Sequence, residues 1–232
     1  LRPALARPAA LPVRVVGVAV PRAKVCYIGS GHEGVAEGLN ALGVDVTVLS
    51  DDQITSDDAL AGFDTIVIGI FALRFRDGLV SEMPRLRDWV EAGGTLLTLY
   101  HRPWDNWDPE TVPPRRPEIG QHSLRWRVTD AEAEVTHLTD HAVLSEPNRV
   151  TDADWQGWVK ERGLYFAKSW DDAYTPLLSM SDPGEEPLKG GLLTAEIGKG
   201  RHTHCSLVLH TQMARLVPGA YRLMANLIAP RR

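Results

Sequence analysis

A chain of 232 residues, 44% hydrophobic and 24% charged, has the length and balance of one large globular domain that needs neither disulfides nor metals to hold its core. Its net charge of -5 and the lack of any block of Lys and Arg argue against a nucleic-acid-binding surface, because neutralising phosphates requires clustered cations. No apolar run approaches the length of a membrane span, and two cysteines, Cys26 and Cys205, each inside an apolar run, read as buried thiols rather than a disulfide framework. The two cysteines do not fix a compartment.

Residues 1–22 mix Pro and Arg with Ala, Leu and Val, lack the order of a signal peptide, and read as a linker or the tail of a preceding domain, with residues 13–20 able to form a strand. Residues 23–232 read as one domain. The apolar run 24–28 is a buried strand ending at Gly29. Val35, Leu39 and Leu42 recur at helical spacing across 33–42, and Gly43 stops that helix. Residues 44–49 are a second strand, 51–60 a short acidic helix or turn, and 65–70 a third strand of the fully apolar kind found inside parallel sheets. A helix over 83–92 with Leu86, Trp89 and Val90 on one side closes at Gly93-Gly94, and 95–100 is a fourth strand. Residues 101–117, rich in Pro, Trp and Asp, form a long loop, and 118–190 are irregular, with short strands expected at 126–128 and 134–138. The spans 191–197 and 202–209 pair around Gly198-Lys199-Gly200, and a helix over 219–228 ends the chain. Strand–helix alternation of this kind predicts an α/β fold: a flavodoxin-like, doubly wound, mostly parallel sheet with an irregular insertion, whose ligands bind beyond the carboxyl ends of the strands.

Four groups of residues near that edge carry chemistry. Gly29-Ser30-Gly31-His32-Glu33-Gly34 follows a strand and opens a helix, and Asp51 lies at the end of the next strand; Gly29, Gly31, Gly34 and Asp51 thus meet the dinucleotide pattern, although Glu33 sets a carboxylate where a phosphate would sit. Tyr100 and His101 follow the fourth strand, where a class I amidotransferase presents its cysteine on a sharp turn. No cysteine stands there, and Cys26 and Cys205 are both mid-strand, so thiol catalysis is unsupported. His202 and His204 share one strand face without an acidic or thiol partner at metal-ligand spacing, so no metal site is expected. His210 is placed at the strand end, beside His32 and His101. Trp104, Asn106, Trp107 and Asp108 combine rings with amide and carboxylate groups, which suits a sugar ring. The dense run from Trp155 to Phe166 reads as structural, held by an ion pair between Glu161 and Arg162.

Several stretches resemble one family together. They include Val25-Cys26-Tyr27-Ile28-Gly29-Ser30-Gly31, Gly62-Phe63-Asp64-Thr65-Ile66-Val67-Ile68-Gly69, Trp89-Val90-Glu91-Ala92-Gly93-Gly94-Thr95-Leu96, Pro147-Asn148-Arg149-Val150-Thr151, Asp182-Pro183-Gly184-Glu185 and Val217-Pro218-Gly219-Ala220-Tyr221-Arg222-Leu223. Across residues 23–229 they resemble the C-terminal, glutamine amidotransferase-like (ThuA-like) region of PIG-L/LmbE-family deacetylase proteins. The resemblance implies an accessory domain attached to an N-acetylglucosamine-type deacetylase. The His-Pro-Asp-Asp zinc motif of that deacetylase is absent from this sequence, so deacetylation would belong to an upstream domain of the same polypeptide. ThuA-like proteins, linked to sugar use, also keep a histidine near the last strand. The expectation is a non-catalytic, glycan-binding domain without a cofactor, whose ligand meets His32, Glu33, Arg74, His101, Trp104, Asn106 and His210. A homo-oligomer is compatible with the sequence, and neither nucleic acid nor membrane is an expected partner. Two alternatives stand beside it: a sugar-modifying enzyme with His101 and His210 as acid and base, and a dinucleotide-binding domain.

Overall fold

A computed structural model describes residues 15–31, 33–56 and 58–231. The first half alternates as read from the sequence: β1 (Lys24–Ile28), α1 (Val35–Ala41), β2 (Asp45–Val48), α2 (Asp51–Ile54), β3 (Thr65–Ile68), α3 (Ala72–Phe75), α4 (Leu79–Ala92) and β4 (Thr95–Leu99). The insertion carries β5 (Pro117–Ile119), β6 (Arg127–Val128), β7 (Thr136–His137), α5 (Ala142–Ser145), β8 (Gly163–Leu164), β9 (Ala167–Trp170), β10 (Thr175–Pro176) and β11 (Leu178–Ser179). β12 (Leu192–Ile197), β13 (Gly200–Cys205), α6 (Leu209–Ala214) and α7 (Pro218–Leu227) complete the chain.

Seven strands form the central sheet in the order β10-β12-β13-β4-β3-β1-β2. The pairs from β13 to β2 are parallel, whereas β12 runs antiparallel to β13 and β10 antiparallel to β12. β3 and β13 are buried along their whole length, as fits apolar runs covered on both faces. The step from β1 to β2 runs one way across the sheet and the step from β3 to β4 the other. Right-handed crossovers therefore set α1 and α4 on opposite faces, and the order reverses between β1 and β3.

Three expectations need correction. The span 202–209 is not one strand: β13 ends at Cys205, and the chain then bonds sideways to the insertion, with Ser206 N–H donating to Gly191 O at 2.9 Å and Val208 N–H to Arg162 O at 3.0 Å. His210 consequently sits in the first turn of α6 rather than at a strand end. Residues 15–20 form no strand; Arg222 Nε donates to Gly17 O at 3.0 Å and Ala19 N–H to Asn148 Oδ1 at 2.7 Å, which docks this segment on α7 and the insertion. Arg162 is not paired with Glu161. Its buried guanidinium donates to Ala133 O at 3.1 and 2.7 Å and to Trp155 O at 2.7 Å, while Glu161 meets Lys160 Nζ at 3.5 Å. Carbonyls satisfy a planar five-donor group as well as a carboxylate does when several converge on it.

Candidate functional site

The crevice at the reversal point, between the carboxyl ends of β1 and β3, is occupied by the chain itself. Gly29 and Gly69 face each other there, and a Cβ at Gly69 would lie 2.4 Å from Tyr27 Oη and 2.5 Å from Glu33 Oε1. The missing side chains make room for a Tyr27–Glu33 hydrogen bond, and the same carboxylate accepts the Ser30 hydroxyl and, at 2.9 Å, the Ser30 N–H. Burial and the Glu33 carboxylate hold the Tyr27 hydroxyl protonated well above the usual phenol range.

This arrangement bears directly on the dinucleotide pattern. The Ser30 N–H that would meet a pyrophosphate already holds Glu33, so the loop's own anion stands in the phosphate position. Asp51, placed by sequence at the ribose, is ion-paired to Arg76 Nη1 at 3.0 Å. Arg76 also donates to Gly29 O at 2.8 Å and Leu49 O at 2.7 Å, and so spans the ends of β1 and β2. Gly31 and Gly34 take positive φ (87° and 66°), a conformation that glycine adopts without a Cβ clash. His32 lies outside the described residues.

On the other side of the reversal point the edge carries rings. Phe71 occupies the turn between β3 and α3 at φ 57°, a left-handed conformation that is costly for a bulky side chain. Its ring meets Tyr100 edge-on at 5.4 Å and Tyr165 edge-on at 6.1 Å. Tyr165, itself at φ 57°, stacks on Tyr100 at 6.2 Å and receives Trp104 edge-on at 6.3 Å and His122 at 4.9 Å. The Arg102 guanidinium lies 4.4 Å from the Phe71 ring centre and 5.8 Å from that of Trp104. The fully buried Asp105 fixes it, with Arg102 Nη2 at 2.7 Å and Nε at 2.9 Å from the carboxylate. Trp104 is 50% exposed, so one ring of an otherwise locked cluster faces solvent.

His101 does not join this cluster. Tyr100 and His101 are consecutive in an extended segment and point to opposite sides: Tyr100 meets the edge rings, whereas His101 is fully buried against Trp107 at 5.5 Å. Its Nδ1–H donates to Leu99 O at 2.8 Å, and its Nε2 accepts from Leu73 N–H at 3.3 Å. Burial lowers its pKa to about 4, and both nitrogens are committed to backbone. His210 lies 6.1 Å from the Tyr100 ring, half-buried, with Nε2 3.2 Å from Thr211 Oγ1; burial first and then Lys160 lower its pKa. An acid–base pair of His101 and His210 therefore has no shared face. Arg74 is exposed on α3 with its guanidinium 5.8 Å from the Phe75 ring, and the Asn106 amide donates to Leu73 O at 2.9 Å, bracing the loop against α3.

The expected sharp turn after β4 is absent. Neither Tyr100 nor His101 has positive φ, and β4 runs into a loop rather than a helix. Both thiols are buried, and burial pushes Cys26 and Cys205 up to about 12, so neither supplies a thiolate nucleophile.

His202 and His204 are likewise sealed inside. Thr98 Oγ1 lies 3.0 Å from His202 Nε2 and 2.9 Å from His204 Nδ1. His202 Nδ1 continues to Tyr174 Oη at 2.6 Å, and His204 Nε2 to Ser206 Oγ at 3.3 Å. Burial drives His202 down to about 3 and His204 well below the ordinary imidazole value. Among the described residues no group of three His, Cys, Asp or Glu side chains is arranged to hold a metal. The edge cluster of Phe71, Tyr100, Arg102 and Tyr165, and the Tyr27–Glu33 pair, were not singled out from sequence. Only the aromatic density of the run from Trp155 to Phe166 pointed toward Tyr165.

No protein-family model matches the chain, and no curated protein sequence matches it. Solved structures do. A ThuA-like protein from Bacteroides uniformis superposes with a TM-score of 0.54 at 12% identity, over 94% of this chain and 93% of that one. A GMP synthase protein from Thermoplasma acidophilum gives 0.50 at 10% identity, over 91% and 94%. The cold-adapted beta-galactosidase from Rahnella sp. R3 gives 0.50 at 16% identity, over 88% of this chain but 31% of that one. At such identities the likeness establishes the fold: a mostly parallel, flavodoxin-like α/β sheet of the ThuA-like and class I glutamine amidotransferase-like kind.

Proposed function

We propose that this chain is a non-catalytic, ThuA-like carbohydrate-binding domain that serves a PIG-L/LmbE-type deacetylase carried on the same polypeptide. The observation that carries the reading is the ring shelf at the carboxyl edge. The half-exposed Trp104 is held edge-on by Tyr165 beside an Arg102 locked to buried Asp105. A rigid aromatic face next to fixed donors binds the apolar face and hydroxyls of a pyranose with little ordering cost.

The non-catalytic part is supported by chemistry. Both thiols are raised to about 12, and His101 has no free nitrogen. The fold also recurs as roughly a third of a beta-galactosidase, so it occurs as one part of a protein named for a sugar. The deacetylase link rests on the sequence resemblance. Thermal shift and calorimetry with N-acetylglucosamine and glucosamine test the reading. A saturable effect that Trp104→Ala abolishes and His101→Gln leaves intact is the expected outcome; no effect with either sugar, or one indifferent to Trp104→Ala, defeats it.

A further inference from the structure

We infer that the ligand of this edge is a neutral oligosaccharide rather than a single sugar, with its second ring seated in the groove beside the shelf. This rests on the carbohydrate reading above and specifies it. The groove encloses about 280 Å³ and is lined by Pro103, Gln121, Leu124, Trp126, Glu118 and Lys168, among others. It adjoins the shelf directly: Pro103 precedes Trp104, and His122, next to Gln121, packs edge-on against Tyr165 at 4.9 Å. The two ring faces thus lie on either side of one short wall.

The groove repeats the shelf's equipment. Trp126 is half-buried and packs on Gly120, where a Cβ would fall 2.1 Å from its Cγ, so glycine at 120 lets the indole lie in the groove floor. Among the described residues the Trp126 indole N–H and the Gln121 amide have no protein partner, and Gln121 is exposed. They present free donors and one acceptor beside an aromatic face. Leu124, 63% exposed, adds an apolar flank.

The charges select against ionic ligands. Lys168 Nζ lies 2.7 Å from Glu118 Oε1, Arg116 reaches Glu118 at 3.1 Å and Glu110 at 2.7 Å, and Ser169 Oγ donates to Glu118 at 3.0 Å. Two cations and two carboxylates cancel, and each is already engaged. A charged ligand would find no uncompensated partner, whereas hydroxyl groups can exchange bonds with the rim. An aromatic floor, unused amide and indole donors, and a neutral rim together suit a second pyranose.

Calorimetry with N-acetylglucosamine and its β-1,4-linked dimer and trimer tests this on the full chain. The dimer is expected to bind about tenfold more tightly than the monomer. Trp126→Ala should erase that gain while leaving monomer affinity unchanged. Because Trp126 is partly buried, Gln121→Ala and Leu124→Lys serve as surface variants that should each reduce the gain without changing the melting temperature. Equal affinity for monomer and dimer, or a dimer gain untouched by all three variants, overturns the inference and leaves the carbohydrate reading standing. Failure of every sugar to bind overturns both.

Discussion

Two sets of histidines lie within one sheet's width and behave oppositely. His101, His202 and His204 are fully buried, neutral and bonded at both nitrogens. His122 and His210 lie at the carboxyl edge, partly exposed, each with a buried Nδ1 that has no partner. His204 and His210 are only six positions apart, yet one is part of the core and the other borders the ring shelf. The difference comes from register and from where β13 ends, not from residue type. A buried imidazole must be paid for in hydrogen bonds, and here the neighbouring strands and loops supply them.

Acidification should separate the two sets most strongly. Burial lowers His101 to about 4 and His202 to about 3, from an ordinary value of 6.5, so below pH 6.5 the unfolded chain takes up protons that the folded chain refuses. Stability is therefore complete above about pH 6.5 and falls toward pH 4, by about 1.4 kcal/mol per pH unit for each such group. Urea midpoints at a series of pH values measure the slope, and a flat profile between pH 7 and 5 would show the core imidazoles to be accessible. Next in size is Thr98→Val, which removes the hydroxyl shared by two sealed imidazoles and should cost about 2–4 kcal/mol in denaturant unfolding at neutral pH. Tyr27→Phe leaves Glu33 with Ser30 as its hydroxyl partner and should cost about 1 kcal/mol. At the small end, Trp104→Ala and His210→Ala should shift stability by less than about 1 kcal/mol, because neither side chain is sealed. A loss at His210 as large as that at Thr98 would erase the distinction between the sets.

Much of the fold was legible because its signals are local. Apolar runs closed by Gly29, Gly43 and Gly94 marked β1, α1 and the α4–β4 junction, and alternation of types implied the parallel sheet. The insertion was not legible, since its strands are two to four residues long and too short for a period to show. The site was harder still. Tyr100-His101 looked like a turn presenting a reactive group, but the positive-φ turn of the sheet stands at Phe71, after β3. Glu33 argued against a phosphate in the sequence, and the structure gives the physical form of that argument: the carboxylate holds the donors itself. Trp104 was legible because a ring in a loop rich in Pro and Asp has few ways to be covered. Tyr165 and Phe71 gather there only through contacts between distant parts of the chain.

The hydroxyl and imidazole chain from Tyr174 to Ser206 has a polarity. Tyr174 has one proton for two acceptors, Arg115 O at 3.1 Å and His202, and Ser206 has one for Tyr165 O at 3.2 Å and His204. Thr98 also has a single proton, so it donates to one imidazole and accepts from the other, and both rings must then carry their hydrogen on the same kind of nitrogen. All protons point toward Arg115 or all point toward Tyr165, and one carbonyl is always left over. Tyr174→Phe removes the hydrogen-bonding hydroxyl at one end and favours the direction that ends on Tyr165. A change on the far side of the sheet would thereby set the tautomer of His204 and the bonding of a carbonyl that belongs to the ring shelf.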